Sequence, residues 1–90
     1  MRNAFAKVVT DLAKQNPDII LLAGDIGNRL FDNYKEQNSV RFYNCGVAEA
    51  GMTGIAAGLA SCGLQPITYT ITPFNTLRCL EQIRVDICYP

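Results

Sequence analysis

Ninety residues limit this chain to one small domain, of a size that buries only about 60 to 65% of its unfolded surface. Eight basic and eight acidic residues give zero formal charge with no run of either sign, which excludes an electrostatic surface for nucleic acid or another polyanion. The longest apolar stretches, such as "IILLAG", fall far short of a membrane span, and "MRNAFAKVV" lacks the sustained apolar core of a signal peptide, so the expected compartment is the cytoplasm.

Asn3 is placed to cap a first helix, in which Phe5, Val8, Val9 and Leu12 follow the i, i+3, i+4, i+7 spacing of one face. "NPD" at residues 16–18 breaks it. "IILLA" then reads as a strand covered on both faces and ends in "GDIG" at residues 24–27. "RLFDNYKEQ" predicts a short helix with Leu30, Phe31 and Tyr34 inward, and "VRFYNCG" a second short strand. "AEAGMTGIAAGLASCG" is rich in helix formers and stops at Gly63. Pro66 opens a third strand, "ITYTIT", in which Ile67, Tyr69 and Ile71 alternate with threonines. The last segment, residues 74–88, predicts a helix with Leu77, Leu80, Ile83 and Ile87 on one stripe. Strands alternating with helices imply an α/β fold, a parallel sheet with flanking helices. Three strands make a thin sheet and no strand follows the last helix, so the expectation is a fragment or an obligate subunit.

Four cysteines, Cys45, Cys62, Cys79 and Cys88, form no C-x-x-C pair, and histidine is absent. A zinc site is not expected. The apolar or helical setting of each cysteine predicts small buried hydrophobes rather than a redox pair.

Ligands of parallel α/β sheets meet the carboxyl ends of the strands and the helix N-termini that follow. "GDIG", "CGVAE" and "TPFN" fall there. From Phe42 to Leu77, tyrosines and cysteines aside, Glu49 is the single ionisable residue. In the first turn of a helix the dipole favours its carboxylate, while apolar surroundings favour the neutral acid, and such opposed influences leave a carboxyl able to share a proton with a ligand nitrogen. The plain alternative is a solvated acid on a helix's first turn. Gly51, Gly54 and Gly58 predict close packing on a sheet or another subunit rather than phosphate binding, since no G-x-G-x-x-G or P-loop lysine is present.

The ordered set of "GDIG", "G-V-A-E" and "T-P-F" within "NCGVAEAGMTGIAAGLASCGLQPITYTITPF", preceded by "AFAKVVTDLAKQNPDIILLAGDIG", resembles the pyrimidine-binding domain of transketolase-like, thiamine diphosphate-dependent enzymes. The similarity covers essentially residues 1–90, and Met1 stands where the separate C-terminal subunit of a split transketolase starts. The resemblance implies that Glu49 hydrogen-bonds N1' of the cofactor's aminopyrimidine and so promotes deprotonation at C2. It implies that Phe74 packs against that ring, with a core phenylalanine as the alternative. Asp25 matches an acid near the cofactor, although aspartate after a strand is also a common turn residue. Arg78 is expected at the cleft or on a substrate phosphate, or else as an exposed helical arginine.

The pattern departs from the family in two respects. Ala50 and Gly51 follow the glutamate where the family often has "AEQ" and a bulkier polar residue, and the histidine-bearing substrate loop is missing. The family's magnesium is held by a G-D-G motif in a separate diphosphate-binding domain, and "GDIG" has isoleucine in place of the second glycine. The chain alone is therefore expected to be inactive, and its own metal ligands are expected to be none. Its expected partner is a subunit carrying the diphosphate-binding domain, in a homo- or hetero-oligomer acting on sugar phosphates, with residues 46–63 as contact surface. A deoxyxylulose-phosphate synthase, a keto-acid dehydrogenase β subunit and a truncated non-catalytic interaction module are the alternatives.

Overall fold

The computed structural model describes residues 1–27 and 29–89. Three strands, β1 (Ile19–Ala23), β2 (Phe42–Asn44) and β3 (Gln65–Tyr69), form a parallel sheet in the order β2-β1-β3. Leu21 pairs with Phe42 on one side and Ile67 on the other. As the central strand, β1 is covered along both edges as well as on its faces, which is why "IILLA" carries no polar residue.

Alternation along β1 divides the molecule in two. Ile19 and Leu21 join Ala6, Val9 and Ala13 of α1 (Arg2–Gln15) and Phe31 and Tyr34, the latter on α2 (Asp32–Gln37). Leu22 points the other way, onto Met52 and Ala56 of α3 (Glu49–Ser61). Helices therefore flank both faces, as the α/β reading expects. Helix α3 ends where its sequence predicts: Gly63 adopts φ +90° and the amide of Leu64 donates to the carbonyl of Leu59 at 3.1 Å, a glycine-dependent helix stop.

Arg41 fastens the first layer. Its Nη1 donates to the carbonyl of Asn16 at 2.8 Å and its Nη2 to that of Ala13 at 2.8 Å and to Asn38 Oδ1 at 2.6 Å. A fixed cation thus satisfies carbonyls at the end of α1, where the helix dipole is negative.

Five local expectations are corrected. Helix α1 begins at Arg2, so Asn3 lies inside the first turn rather than at its cap. Its buried face is Ala6, Val9, Thr10 and Ala13, while Val8 and Leu12 are about half exposed. Small side chains let the helix close on the sheet, and the Thr10 hydroxyl is satisfied by the carbonyl of Ala6 at 2.7 Å. The third strand starts at Gln65 and stops at Tyr69, short of Ile71. The last segment is broken into α4 (Thr72–Asn75), a 3₁₀ turn (Leu77–Cys79), α5 (Leu80–Gln82) and a π-helical turn (Ile83–Ile87). Thr76, at φ −119° and ψ −79°, interrupts it, and Cys79 is buried there while Leu77 and Leu80 face outward. Pro90 lies outside the described residues. Cys62 and Cys88 are exposed, so burial holds for Cys79 and in part for Cys45, whose thiol burial pushes upward.

Candidate functional site

Residues 24–27, 45–48 and 70–71 leave the carboxyl ends of the three parallel strands together. The second loop turns at Gly46, where φ is +75°, and delivers Glu49 as the first residue of α3. Glu49, Met52, Thr53 and Ala56 are spaced i, i+3, i+4, i+7, so the acid stands on the buried face of its helix. It is 4% exposed, which overturns the solvated-acid alternative.

A carboxylate so buried needs a partner. Arg78 supplies it: Nη1 donates to Glu49 Oε1 at 3.0 Å. The same guanidinium lies over the Phe74 ring with its carbon 3.8 Å from the centroid, a cation–π stack. Phe74 is on α4, and α4 is tied to β3 by Asn75, whose Oδ1 accepts from the Thr68 hydroxyl at 3.1 Å. Glu49, Phe74 and Arg78 are thus brought to one place by two different strand ends.

Gly24 lies beside Glu49 and Thr70. A Cβ built there would lie 3.2 Å from Thr70 Cβ and Oγ1 and 3.6 Å from Glu49 Oε2. The Thr70 hydroxyl oxygen is itself buried without a hydrogen-bond partner.

Asp25 follows Gly24 with φ +59°, a left-handed conformation that aspartate tolerates better than most residues. Asn44 holds it: the Asn44 amide donates to Asp25 Oδ1 at 2.9 Å, while Asn44 Oδ1 accepts from the backbone amides of Asp25 at 3.0 Å and Gly46 at 2.9 Å. Two strand-end loops are locked together by one side chain. Asp25 lines a concavity of about 300 Å³ with Ala23, Gly27, Lys35, Phe42 and Asn44, and its polar contacts run to Asn44 rather than to Glu49.

Arg78, expected at the cleft or on a substrate phosphate, is seated on Glu49. Sequence reasoning reached Gly24 only as part of "GDIG" and did not single out Asn44 or Thr70. For Asn44 a signal existed, since an asparagine closing a strand before a glycine is a common loop-tying residue. The glycines of α3 do not pack on the sheet: a Cβ at Gly51 or Gly58 would meet nothing within 4 Å. A groove of about 640 Å³ runs between α3, β3 and the last segment, past Ala56, Ala60, Pro66, Thr68 and Ile87, and does not include Glu49. Among the described residues no group of His, Cys, Asp or Glu could hold a metal ion, and no helix is long and apolar enough to cross a membrane.

Residues 1–89 match the family model described as transketolase, pyrimidine binding domain. An apulose-4-phosphate transketolase subunit of Phocaeicola vulgatus is 33% identical over 89 residues, covering 98% of this chain and 28% of that protein. The 1-deoxy-D-xylulose-5-phosphate synthase of Carboxydothermus hydrogenoformans is 33% identical over 93% of this chain and 14% of its own length. A solved split gene transketolase, an inactive beta4 tetramer, superposes with a TM-score of 0.87 at 36% identity, over 99% of this chain and 30% of that one. The chain therefore spans under a third of the length of each.

Proposed function

The chain belongs to the transketolase pyrimidine-binding domain family, and we propose that its site takes the aminopyrimidine end of thiamine diphosphate in an enzyme that transfers a two-carbon ketol unit between sugar phosphates. The observation that supports this most is the Glu49 carboxylate, 4% exposed, gathered with an aromatic ring at the carboxyl end of a parallel sheet. The residues fit that end of the cofactor. Glu49 offers an acid to a ring nitrogen, Phe74 offers a face, and Gly24 brings the strand end within contact of the acid and Thr70.

When bound, thiamine diphosphate supplies the carbanion chemistry. Glu49 holds and shares a proton at N1', and its burial keeps bulk water from competing for that hydrogen bond. Asp25, locked by Asn44, stands near the cofactor in this reading, and Arg78 stands at the cleft. The diphosphate and Mg²⁺ are assigned to a diphosphate-binding domain on a partner subunit, because the Gly24 loop lacks the second glycine of the metal motif. Ile55, Leu77 and Leu80, 52%, 76% and 60% exposed, offer apolar surface for that partner in a homo- or hetero-oligomer. In this proposal the enzyme serves carbohydrate metabolism in the cytoplasm.

In the assembled enzyme, Glu49→Gln is expected to slow hydrogen–deuterium exchange at the cofactor's C2 by about 100- to 10,000-fold. Unchanged exchange would remove Glu49 from this role. The similarity to a 1-deoxy-D-xylulose-5-phosphate synthase favours a second reading on the same cofactor, and product analysis separates the two: deoxyxylulose phosphate in one case, a transferred ketol unit in the other. Cofactor binding without turnover would assign a binding module instead.

A further inference from the structure

The two oxygens of Glu49 have different surroundings. Oε2 faces the strand end, where a methyl group on Gly24 would lie in ordinary contact with it at 3.6 Å and more tightly, at 3.2 Å, against Thr70. Oε1 accepts from Arg78 Nη1 at 3.0 Å while the same guanidinium stacks 3.8 Å over Phe74. One planar cation therefore makes at once the two contacts, hydrogen bond and stack, that the proposed function assigns to an aminopyrimidine.

We infer that Arg78 is a displaceable internal occupant of the pyrimidine site, which must swing away before a planar nitrogen heterocycle can take Oε1. This rests on the proposed roles of Glu49 and Phe74. The exchange can go only one way, because the Arg78 side chain is 50% exposed and that of Glu49 is 4% exposed. The guanidinium can be rehydrated by a rotation of its own stem, whereas the acid cannot follow it into water. Arg78 also sits in the short turn Leu77–Cys79, where no long helix fixes its direction. A half-exposed ion pair and a single cation–π stack are each weak enough to be exchanged. While they persist, they lower apparent affinity by the fraction of molecules in which the site is closed.

The test titrates 4-amino-5-hydroxymethyl-2-methylpyrimidine, which carries no diphosphate, into the assembled protein by calorimetry. Arg78→Met keeps the stem and removes the cation, and it is expected to bind about tenfold more tightly than the parent. Added salt should narrow that gap by screening the parent's ion pair. Equal or weaker binding by Arg78→Met overturns the inference, and if the parent's binding is still abolished by Glu49→Gln, the reading of the site survives. Failure of both parent and Arg78→Met to bind overturns the site and the inference together. Should Arg78→Met fold poorly, Arg78→Lys keeps the charge without the planar stack, and about two- to threefold tighter binding is expected; equal or weaker binding again overturns the inference.

Discussion

The two faces of the sheet are built on different principles. On the side of α1 and α2, Phe31 meets Tyr69 edge to face at 4.9 Å, Phe5 stacks on Tyr69 at 5.4 Å, and Phe42 lies 6.2 Å from Phe31. Arg41 then ties helix and loop carbonyls behind them. On the side of α3 the buried cluster is Leu22, Met52 and Ala56, and the same helix face carries a charged acid. Rings and carbonyl bonds hold one side, so the other can tolerate a buried acid in a half-exposed ion pair whose worth to stability is small. The sheet keeps the packing that maintains the fold apart from the groups proposed to do its chemistry.

Phe31→Ala tests that division most severely. The ring is 1% exposed and touches three others, so its removal is expected to cost about 3 to 5 kcal/mol. Urea unfolding of the protein would read this, and a loss no larger than that of a surface substitution would break the comparison. Gly24→Ala acts on the other side. Its methyl would come 3.2 Å from Thr70, which must give by a few tenths of an ångström, and would touch Glu49 in ordinary contact, with an expected cost of about 1 to 3 kcal/mol. Cofactor affinity should fall further than the unfolding midpoint implies, and a fall in the midpoint alone would deny the Gly24 cradle any part in the site.

The smallest effect belongs to Tyr34, whose phenol burial holds above its ordinary value although Arg41 pulls it down. Its hydroxyl donates to the carbonyl of Arg41 at 3.0 Å. Because the unfolded phenol ionises first, this contribution is complete below about pH 10 and is lost as pH rises through the folded value. The stability advantage of the parent over Tyr34→Phe, about 1 kcal/mol at neutral pH, should therefore shrink above pH 10. An advantage that stayed constant to pH 11 would mean the phenol is not shielded from water.

Much of this architecture follows from local pattern. The apolar run "IILLA" could satisfy itself only as a covered central strand, and Gly63 could only stop a helix. Glu49 stood out because nothing else in its tract is charged, and its i, i+3, i+4 relation to Met52 and Thr53 was already present in the order of residues.

Periodicity failed where a second surface decides which stripe is buried. Val8 and Leu12 match a helical face as well as Ala6 and Ala13 do, but only the smaller pair lets α1 reach the sheet. Leu77 and Leu80 likewise form an apolar stripe that the described residues leave exposed. The order of amino acids thus specified the three strands, the helices between them, their parallel arrangement and the unusual acid, since these depend on neighbours along the chain. The pairing of Arg78 with Glu49 across 29 positions, the stack on Phe74 and the lock of Asn44 on Asp25 came only with folding. These contacts join loops from separate strands, and no spacing along the chain encodes a distance that the sheet itself creates.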